Sequence, residues 1–378
     1  MYLPKVKTYT ILAPFSWLYG LGVWARNKMF DLGQKKSITF EDHVPVICVG
    51  NLAVGGTGKT PHTEYLVELL HRHGIGPIAV LSRGYKRHSK GYQVAMPRDA
   101  QGADVKVTAY LLGDESYQLY RKFPFLIVAV DADRVHGINQ LMQLPVPPQV
   151  ILLDDAMQHR YVKPGLTICL TSYSRILYKD MVLPAGRLRE PASNVTRADL
   201  VVVTKCPSAL RREEETEITA NLPTRLEQPI FYSAYRYGNL VNLSTGEACE
   251  IPHSSEVLIV AGIADPKVME DYVHKHYRLL DIFTFGDHHH FTDKDILHIR
   301  ERLDGVNGDG FCTNDSGNKA VIITTEKDAA RLVDHPAVTD DLRNRIYYLP
   351  TEVYFLQKQD EKFDSIILNY VLKERHSL

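Results

Sequence analysis

The sequence predicts an α/β protein of two domains, and three observations predict it. Near-continuous runs of β-branched and aliphatic residues alternate with segments of helical spacing, the pattern of parallel strands buried on both faces. That rhythm breaks once, near residue 229, and then resumes. A chain of 378 residues with 44% hydrophobic and 24% charged content is long enough for two cores and too apolar for wholesale disorder.

Taken in order, the first segment is the compositional exception. TYTILAPFSWLYGLGVWARNKM, residues 8–29, is apolar and aromatic and holds both tryptophans. Lys5, Lys7, Arg26, Lys28, Lys35 and Lys36 flank or end it. Pro14 and two glycines interrupt it, which counts against a signal peptide or a short membrane span. Residues 1–36 are expected to form a helix lying in a membrane interface, with cations toward an anionic lipid surface. Packing of this helix on the protein's own core or in a dimer seam is the alternative.

Residues 37–228 form the expected first domain. Its strands are VPVICVG (44–50), PIAVLSR (77–83), FLIVAVD (125–131), VILLDD (150–155), LTICLT (166–171) and LVVVTK (200–205). Segments such as PHTEYLVELLHRHG and DRVHGINQLMQL supply intervening helices. Residues 229–250 are expected to fold as a β-hairpin linker about a Tyr-Gly-Asn turn. A second, smaller α/β domain, 251–378, follows with strands EVLIVAGIA, LLDIFTF, AVIITTEKD and RIYYLP, and a cleft between the two domains is expected. The turn-rich stretch 304–318 is expected to be a mobile surface loop.

Net charge is −1, so no basic field argues for nucleic acid. The five cysteines are scattered, odd in number and mostly inside apolar runs, without the spacing of a zinc site or a disulfide framework. They are expected to be small core residues in a reducing compartment.

The most informative stretch is VICVGNLAVGGTGKTPHTEYL, residues 46–66. A phosphate-binding loop aims backbone N–H groups and a helix N-terminus at phosphate oxygens, with a lysine as mobile charge and Ser/Thr ligating Mg2+. Gly55, Gly56, Thr57, Gly58, Lys59 and Thr60 supply these parts between a strand and a helix, and Pro61 suits a helix start. The usual first glycine of G-x-x-x-x-G-K-[ST] is replaced by Ala53. Glycines nearer the phosphates meet the physical requirement, so Ala53 is no disproof. The loop resembles the variant x-G-G-x-G-K-T, although Val54 stands where one large NTPase group has lysine. The first domain is therefore expected to be a P-loop NTPase-like α/β/α sandwich.

Such a site needs an acidic metal partner. Asp154 and Asp155 end the strand VILLDD at the edge where open α/β sheets bind ligands, and two carboxylates there suggest Mg2+; one of them could instead cap a helix. Asp131 and Asp133 follow another strand. In a kinase Asp133 would accept a substrate hydroxyl's proton while Arg134 binds anion; a helix N-cap at Asp133 is the equal alternative. In the second domain, FGDHHHFT sets three histidines beside an aspartate. Neighbours in sequence cannot all face one metal ion, so a single imidazole oriented by a carboxylate is the simpler use, with surface solvation as the alternative.

Ten motifs in order, VGNLAVGGTGKTP, LSRGYKR, LGDES, DADR, LLDDAMQHR, LPAGRLREP, VVTK, AGIADP, FGDHHHFT and TTEKDAAR, cover nearly the whole chain. Together they resemble the tetraacyldisaccharide 4'-kinase family, the lipid A 4'-kinases of Gram-negative bacteria. Departures are small: Ala-Met replaces Gly-Leu after the aspartate pair, Ser116 replaces a proline, and Gly286 stands before Asp287 where proline is common.

The resemblance implies ATP-dependent phosphorylation of the 4'-hydroxyl of a lipid A disaccharide precursor at the cytoplasmic face of the bacterial inner membrane, with ATP and Mg2+ as cofactors. It implies that Gly55 to Thr60 bind ATP phosphates, with Lys59 on the β/γ oxygens. Asp154, Asp155 and Glu190, with Thr60, would surround Mg2+. Asp133 would be the general base, supported across the cleft by His288 beside Asp287, or by His289. Arg83, Arg187 and Arg189, with Arg134, would bind the anionic substrate. No obligate protein partner and no nucleic acid are implied. A membrane-associated regulatory P-loop ATPase switch, and a membrane-bound scaffold with a degenerate site, are the competing expectations.

Overall fold

The computed structural model describes residues 3–4, 6–98, 107–262, 267–286, 289–308 and 320–376. The chain divides into two units. Unit 1 comprises residues 1–107, 111–236 and 353–378, and unit 2 comprises 108–110 and 237–352.

In chain order the elements are α1 (Ala13–Asp31), β1 (Val46–Asn51), α2 (Lys59–Arg72), β2 (Ile78–Ser82), β3 (Gln93–Ala95), α3 (Ala109–Leu112), α4 (Asp114–Lys122), β4 (Ile127–Val130), α5 (Arg134–Met142), β5 (Val150–Asp154), β6 (Leu166–Ser172), β7 (Leu200–Thr204), α6 (Arg212–Asn221) and β8 (Ile230–Tyr237). They continue with β9 (Val241–Asn242), β10 (Glu256–Ala261), α7 (Lys267–His276), β11 (Arg278–Thr284), α8 (Asp293–Gly308), β12 (Val321–Thr325), α9 (Glu326–Leu332), α10 (Asp340–Asn344), β13 (Ile346–Leu349), β14 (Thr351–Phe355) and α11 (Asp360–His376).

Among the described residues the strands form a nine-stranded sheet, ordered β14-β8-β7-β6-β1-β5-β2-β4-β3, and a five-stranded sheet, ordered β11-β10-β12-β13-β9. In the first, β1 lies between β5 and β6, parallel to both. Every residue of β1, β2, β5, β6 and β7 is buried, so these apolar runs are strands covered on both faces. Burial of each such Val, Leu or Ile contributes roughly 1.5–3 kcal/mol. The C-terminal ends of β1, β5, β2, β4 and β7 then share one edge, because their registers are parallel. Parallel topology is what gathers the motifs.

Residues 229–250 do not form a hairpin linker. Ile230 to Tyr232 of β8 pair in parallel with β7, while β9 pairs antiparallel with β13. Residues 231–234 are buried within the sheet that β8 joins, and that burial outweighs a local turn. The chain's end also departs from the expected boundary, since residues 353–378 belong with unit 1. Tyr65 Oη of α2 donates to Asp364 Oδ1 of α11 at 2.7 Å, and Tyr370 Oη bonds the backbone of Val46. Rings of Phe355 and Phe363 close on Tyr65 and Phe231.

In unit 2 the fully buried Asp328, early in α9, accepts from Gly262 N–H, Thr325 Oγ1 and Arg331, so TTEKDAAR braces β12 against β10. Residues 304–308, expected in a surface loop, end α8, and 309–319 lie outside the described residues.

The helix α1 is attached by its polar side. Ser16 Oγ donates to Val182 O at 2.8 Å and accepts from Ala185 N at 2.9 Å. Tyr19 Oη donates to Arg189 O at 3.2 Å, Arg26 to Gln158 O at 2.9 Å, and Asn27 Nδ2 to Glu190 at 3.0 Å. Apart from the buried Phe30 near its end, its large apolar residues point outward, with Ile11, just before it, 85% exposed, Trp17 82% and Leu18 70%; Phe15, Leu21 and Trp24 are also exposed. A helix that packs on a core buries such residues instead. Among the described residues no helix is long and apolar enough to cross a membrane.

Candidate active site

The loop from Leu52 to Gly58 leaves β1 and enters α2. Gly58, the N-cap of α2, is left-handed with φ +90°, a turn that a side chain would strain. Val54, Gly55 and Gly56 are exposed, and Thr57 is clamped beneath them. Asn51 Nδ2 donates to Thr57 Oγ1 at 2.6 Å, and Thr204 Oγ1 donates to Thr57 O at 2.7 Å. The clamp holds the loop's midpoint to the ends of β1 and β7 while its glycine backbone stays open to an anion.

Ala53 has its explanation here. It forms an antiparallel bridge with Leu188, flanked by Val54 N to Arg187 O at 2.8 Å and Arg189 N to Leu52 O at 2.6 Å. This position is paired backbone, outside the left-handed residues of the chain, so no glycine is required. The pairing also brings residues 187–189 beside the loop.

Asp154 closes β5 and Asp155 follows it, left-handed at φ +51°. Lys59 Nζ lies 3.8 Å from Asp155 Oδ1. Arg189 grips Asp155 with both terminal nitrogens, at 2.7 and 3.2 Å, and also bonds Asn51 Oδ1. The two carboxyls titrate apart. Burial, opposed by Lys59, pushes Asp154 up to about 7. Burial acts the same way on Asp155, but Lys59 and the bonded Arg189 override it and hold that carboxyl below its ordinary value. Asp154 Oδ1 is buried without a hydrogen-bond partner. An unpartnered oxygen on a buried carboxyl, beside a phosphate loop, fits a divalent cation.

Glu190 is held by one of its oxygens, while its Oε1, like Asp154 Oδ1, is buried without a hydrogen-bond partner. It is 1% exposed, and its Oε2 accepts from Arg197 at 2.6 Å, Asn194 at 2.7 Å and Asn27 at 3.0 Å. Among the described residues no three acidic, histidine or cysteine side chains are grouped to hold a metal. A cation at Asp154 would be completed by the Thr60 hydroxyl, half-buried in the first turn of α2, and by oxygens from outside the protein.

Asp133 is the N-cap of α5: its Oδ1 accepts from Val135 N at 2.9 Å and His136 N at 3.2 Å. The residue is exposed, and Oδ2 takes no hydrogen bond among the described residues. Asp131, buried behind it, accepts from Asp133 N and from His136 Nδ1.

The four arginines divide. Arg83, after β2, and Arg187 are exposed, and a Cβ on Gly55 would lie 3.6 Å from an Arg187 terminal nitrogen. Arg134 is 2% exposed and donates to the carbonyls of Asp131 and Ala132, so it is a buried brace and not an open anion site. Arg189 is likewise committed, to Asp155 and Asn51, because those acceptors are fixed beside it.

In unit 2, His289 stacks on Phe285 with centroids 4.6 Å apart, and its Nε2 lies 3.0 Å from Asp295 Oδ2. Asp295 also receives Thr292 N and Oγ1, so His289 helps to seal the start of α8. Asp287 and His288 lie outside the described residues.

Sequence reasoning missed two residues at the loop. A Cβ on Gly56 would lie 3.7 Å from Lys205 Nζ, which brings a second lysine to the loop from the end of β7. Its signal was present in LVVVTK, a strand ending at the same edge. His62 is buried beneath the loop. Its Nδ1 donates to Gly58 O at 2.7 Å, since a carbonyl only accepts, and its Nε2 lies 2.9 Å from Ser233 Oγ. Burial lowers its pKa to about 4, against the raising effect of the Gly58 bond, so the ring is neutral. Nothing local in PHTEYL signals this.

The family model described as tetraacyldisaccharide-1-P 4'-kinase, LpxK, matches residues 8–372. The tetraacyldisaccharide 4'-kinase of Bacteroides thetaiotaomicron is 44% identical over 378 residues, covering 97% of this chain and 94% of that protein. That of Flavobacterium johnsoniae is 44% identical, covering 96% of each. The crystal structure of LpxK from Aquifex aeolicus in complex with ATP superposes with a TM-score of 0.71 at 28% identity, covering 96% of this chain and 99% of that one.

Proposed function

The chain belongs to the tetraacyldisaccharide-1-P 4'-kinase family, and on that premise we propose how its residues divide the reaction. It is an ATP-dependent kinase that phosphorylates the 4'-hydroxyl of a tetraacyldisaccharide 1-phosphate, a lipid A precursor, in lipopolysaccharide biosynthesis. The single observation that carries the assignment of parts is the convergence of the loop, Lys59 and the aspartate pair at one sheet edge.

Gly55 to Thr60 cradle the triphosphate with backbone N–H groups, and Lys59 moves from Asp155 onto the β/γ oxygens. Thr60 and Asp154 would hold Mg2+, with Asp155 beside them; the ion, when bound, neutralises charge on the transferring phosphoryl group. Arg189 fixes Asp155, so the lysine has a defined resting partner. Asp133 Oδ2 takes the proton of the 4'-hydroxyl as that oxygen attacks the γ-phosphorus and the bond from that phosphorus to the β–γ bridging oxygen breaks, releasing ADP, while Oδ1 remains on the helix cap. Arg187, and Arg83 at the next strand end, supply charge for the substrate's phosphate. The second imidazole is His288 on its motif, or His289, whose ring Asp295 orients through Nε2.

A multiply acylated substrate stays in the bilayer, so the enzyme must come to it. The outward apolar face of α1, with Trp17 and Trp24, supports peripheral binding to an anionic membrane surface. Use of ATP directs that surface to the cytoplasmic face of the inner membrane.

Phosphoryl transfer from labelled ATP to a tetraacyldisaccharide 1-phosphate tests the reading. Wild type is expected to transfer label, and Lys59→Ala and Asp154→Asn to lose nearly all turnover. ATP hydrolysis indifferent to the lipid would overturn it in favour of a regulatory switch.

A further inference from the structure

Behind the last glycine of the loop lies a hydroxyl that the fold leaves unpaired. Tyr235 Oη, on β8, is buried without a hydrogen-bond partner. A Cβ on Gly58 would stand 1.9 Å from that oxygen, so the hydroxyl occupies the space where position 58 has no side chain. The other polar groups of this wall are taken: His62 Nδ1 is on Gly58 O, and His62 Nε2 is on Ser233.

Packing does not ask for the hydroxyl. Phe231, Phe355 and Phe363 cluster nearby with centroids 4.3–6.0 Å apart, and one of them, Phe355, lies edge-on to His62. A phenylalanine at 235 would fill the same space without stranding a donor. A buried polar group with no partner in the free protein calls for a reason, and one aimed at the N-terminus of a phosphate-loop helix has a candidate.

We propose that Tyr235 is a further nucleotide-site residue, whose hydroxyl donates to a phosphate oxygen of the bound triphosphate beside the N–H groups at Gly58. The inference rests on reading Gly55 to Thr60 as the ATP site. Burial raises the phenol's pKa, so it is a neutral donor across physiological pH. A neutral donor adds a hydrogen bond to the anion without requiring a second charge to be desolvated.

The test is Tyr235→Phe in the full chain, with Lys59→Ala as control. Affinity for a non-hydrolysable ATP analogue and for adenosine is measured by calorimetry, with melting temperature recorded without nucleotide. Tyr235→Phe is expected to melt at or above the wild-type temperature. It should bind the triphosphate roughly tenfold more weakly, about 1.4 kcal/mol, bind adenosine unchanged, and raise KM for ATP with little change in KM for the lipid. Wild-type affinity and KM in a folded Tyr235→Phe would overturn the proposal and leave the loop reading intact. Wild-type affinity in Lys59→Ala, or no analogue binding by wild type, would overturn the loop reading and this inference with it.

Discussion

Glu190 is the residue whose replacement separates two physical pictures most sharply. In the structure its Oε2 collects three donors, from Arg197, Asn194 and Asn27, inside a site where it is 1% exposed. Glu190→Ala strands two amides and one guanidinium at once. Breaking a buried ion pair from one side costs about 3–5 kcal/mol. The Arg197 side chain is 23% exposed and regains some hydration, so roughly 3 kcal/mol is expected. For a domain of this size that lowers Tm by about 6–12 °C. Glu190→Gln keeps an acceptor and loses only the charge, so its loss should be about 1 kcal/mol. The assay is thermal melting without nucleotide, in chelator, followed by turnover across a Mg2+ titration. If Glu190 served a metal and its three bonds added nothing to the fold, Glu190→Ala would only relieve a buried carboxylate. Chelated melting would then be unchanged or raised, with turnover recoverable only at high Mg2+. That result would refute the ion-pair account.

Four further outcomes are expected. Asp133→Asn keeps an N-cap but no base, so kcat should fall about 10^2- to 10^4-fold with an unchanged Tm; retained turnover would reduce Asp133 to a cap. Ala53→Gly, which restores the usual loop glycine, should cost roughly 0.5–1 kcal/mol in stability and leave ATP affinity as it was; tighter ATP binding by calorimetry would contradict the paired-strand account of position 53. Glu214 is held below its ordinary value of 4.5 chiefly by the Arg211 bond, so its stabilisation is present above that value and lost as pH falls through its lower folded value. Melts between pH 7 and 3 should therefore show a shallower acid loss in Glu214→Gln, and parallel curves would count against it. Trp17→Glu with Trp24→Glu should release the protein from vesicles containing anionic lipid while melting is unchanged; undiminished co-sedimentation would remove the membrane role of α1.

The legible parts of the site were those whose physics is local. A strand, a glycine turn, Lys59-Thr60 and a helix adjoin in sequence, so the loop could be read directly, as could Asp154 and Asp155 at the end of an apolar run. Parallel topology then joined them without further information. What stayed hidden depends on distant partners. Glu190 meets Asn27 from α1, 163 residues away, so that part of its commitment is not written beside it. The return of α11 to unit 1 rests on Tyr65 and Val46, about as far away in sequence as the chain allows. Residues 230–237 have turn chemistry nearby, and only the presence of β7 decides that they extend a sheet.

The way α1 is fastened has a consequence for geometry. Tyr19 holds the carbonyl of Arg189, and the guanidinium of Arg189 holds Asp155, which neighbours Lys59. Asn27 holds Glu190, the next residue. The helix is thus a strut and not a tether, with one end of a short chain of bonds on its polar face and the other at the phosphate loop. Whatever plane its tryptophans lie in becomes the datum from which the height of Lys59 is set. Loosening those bonds would leave both the helix and the loop intact while losing the measured distance between them.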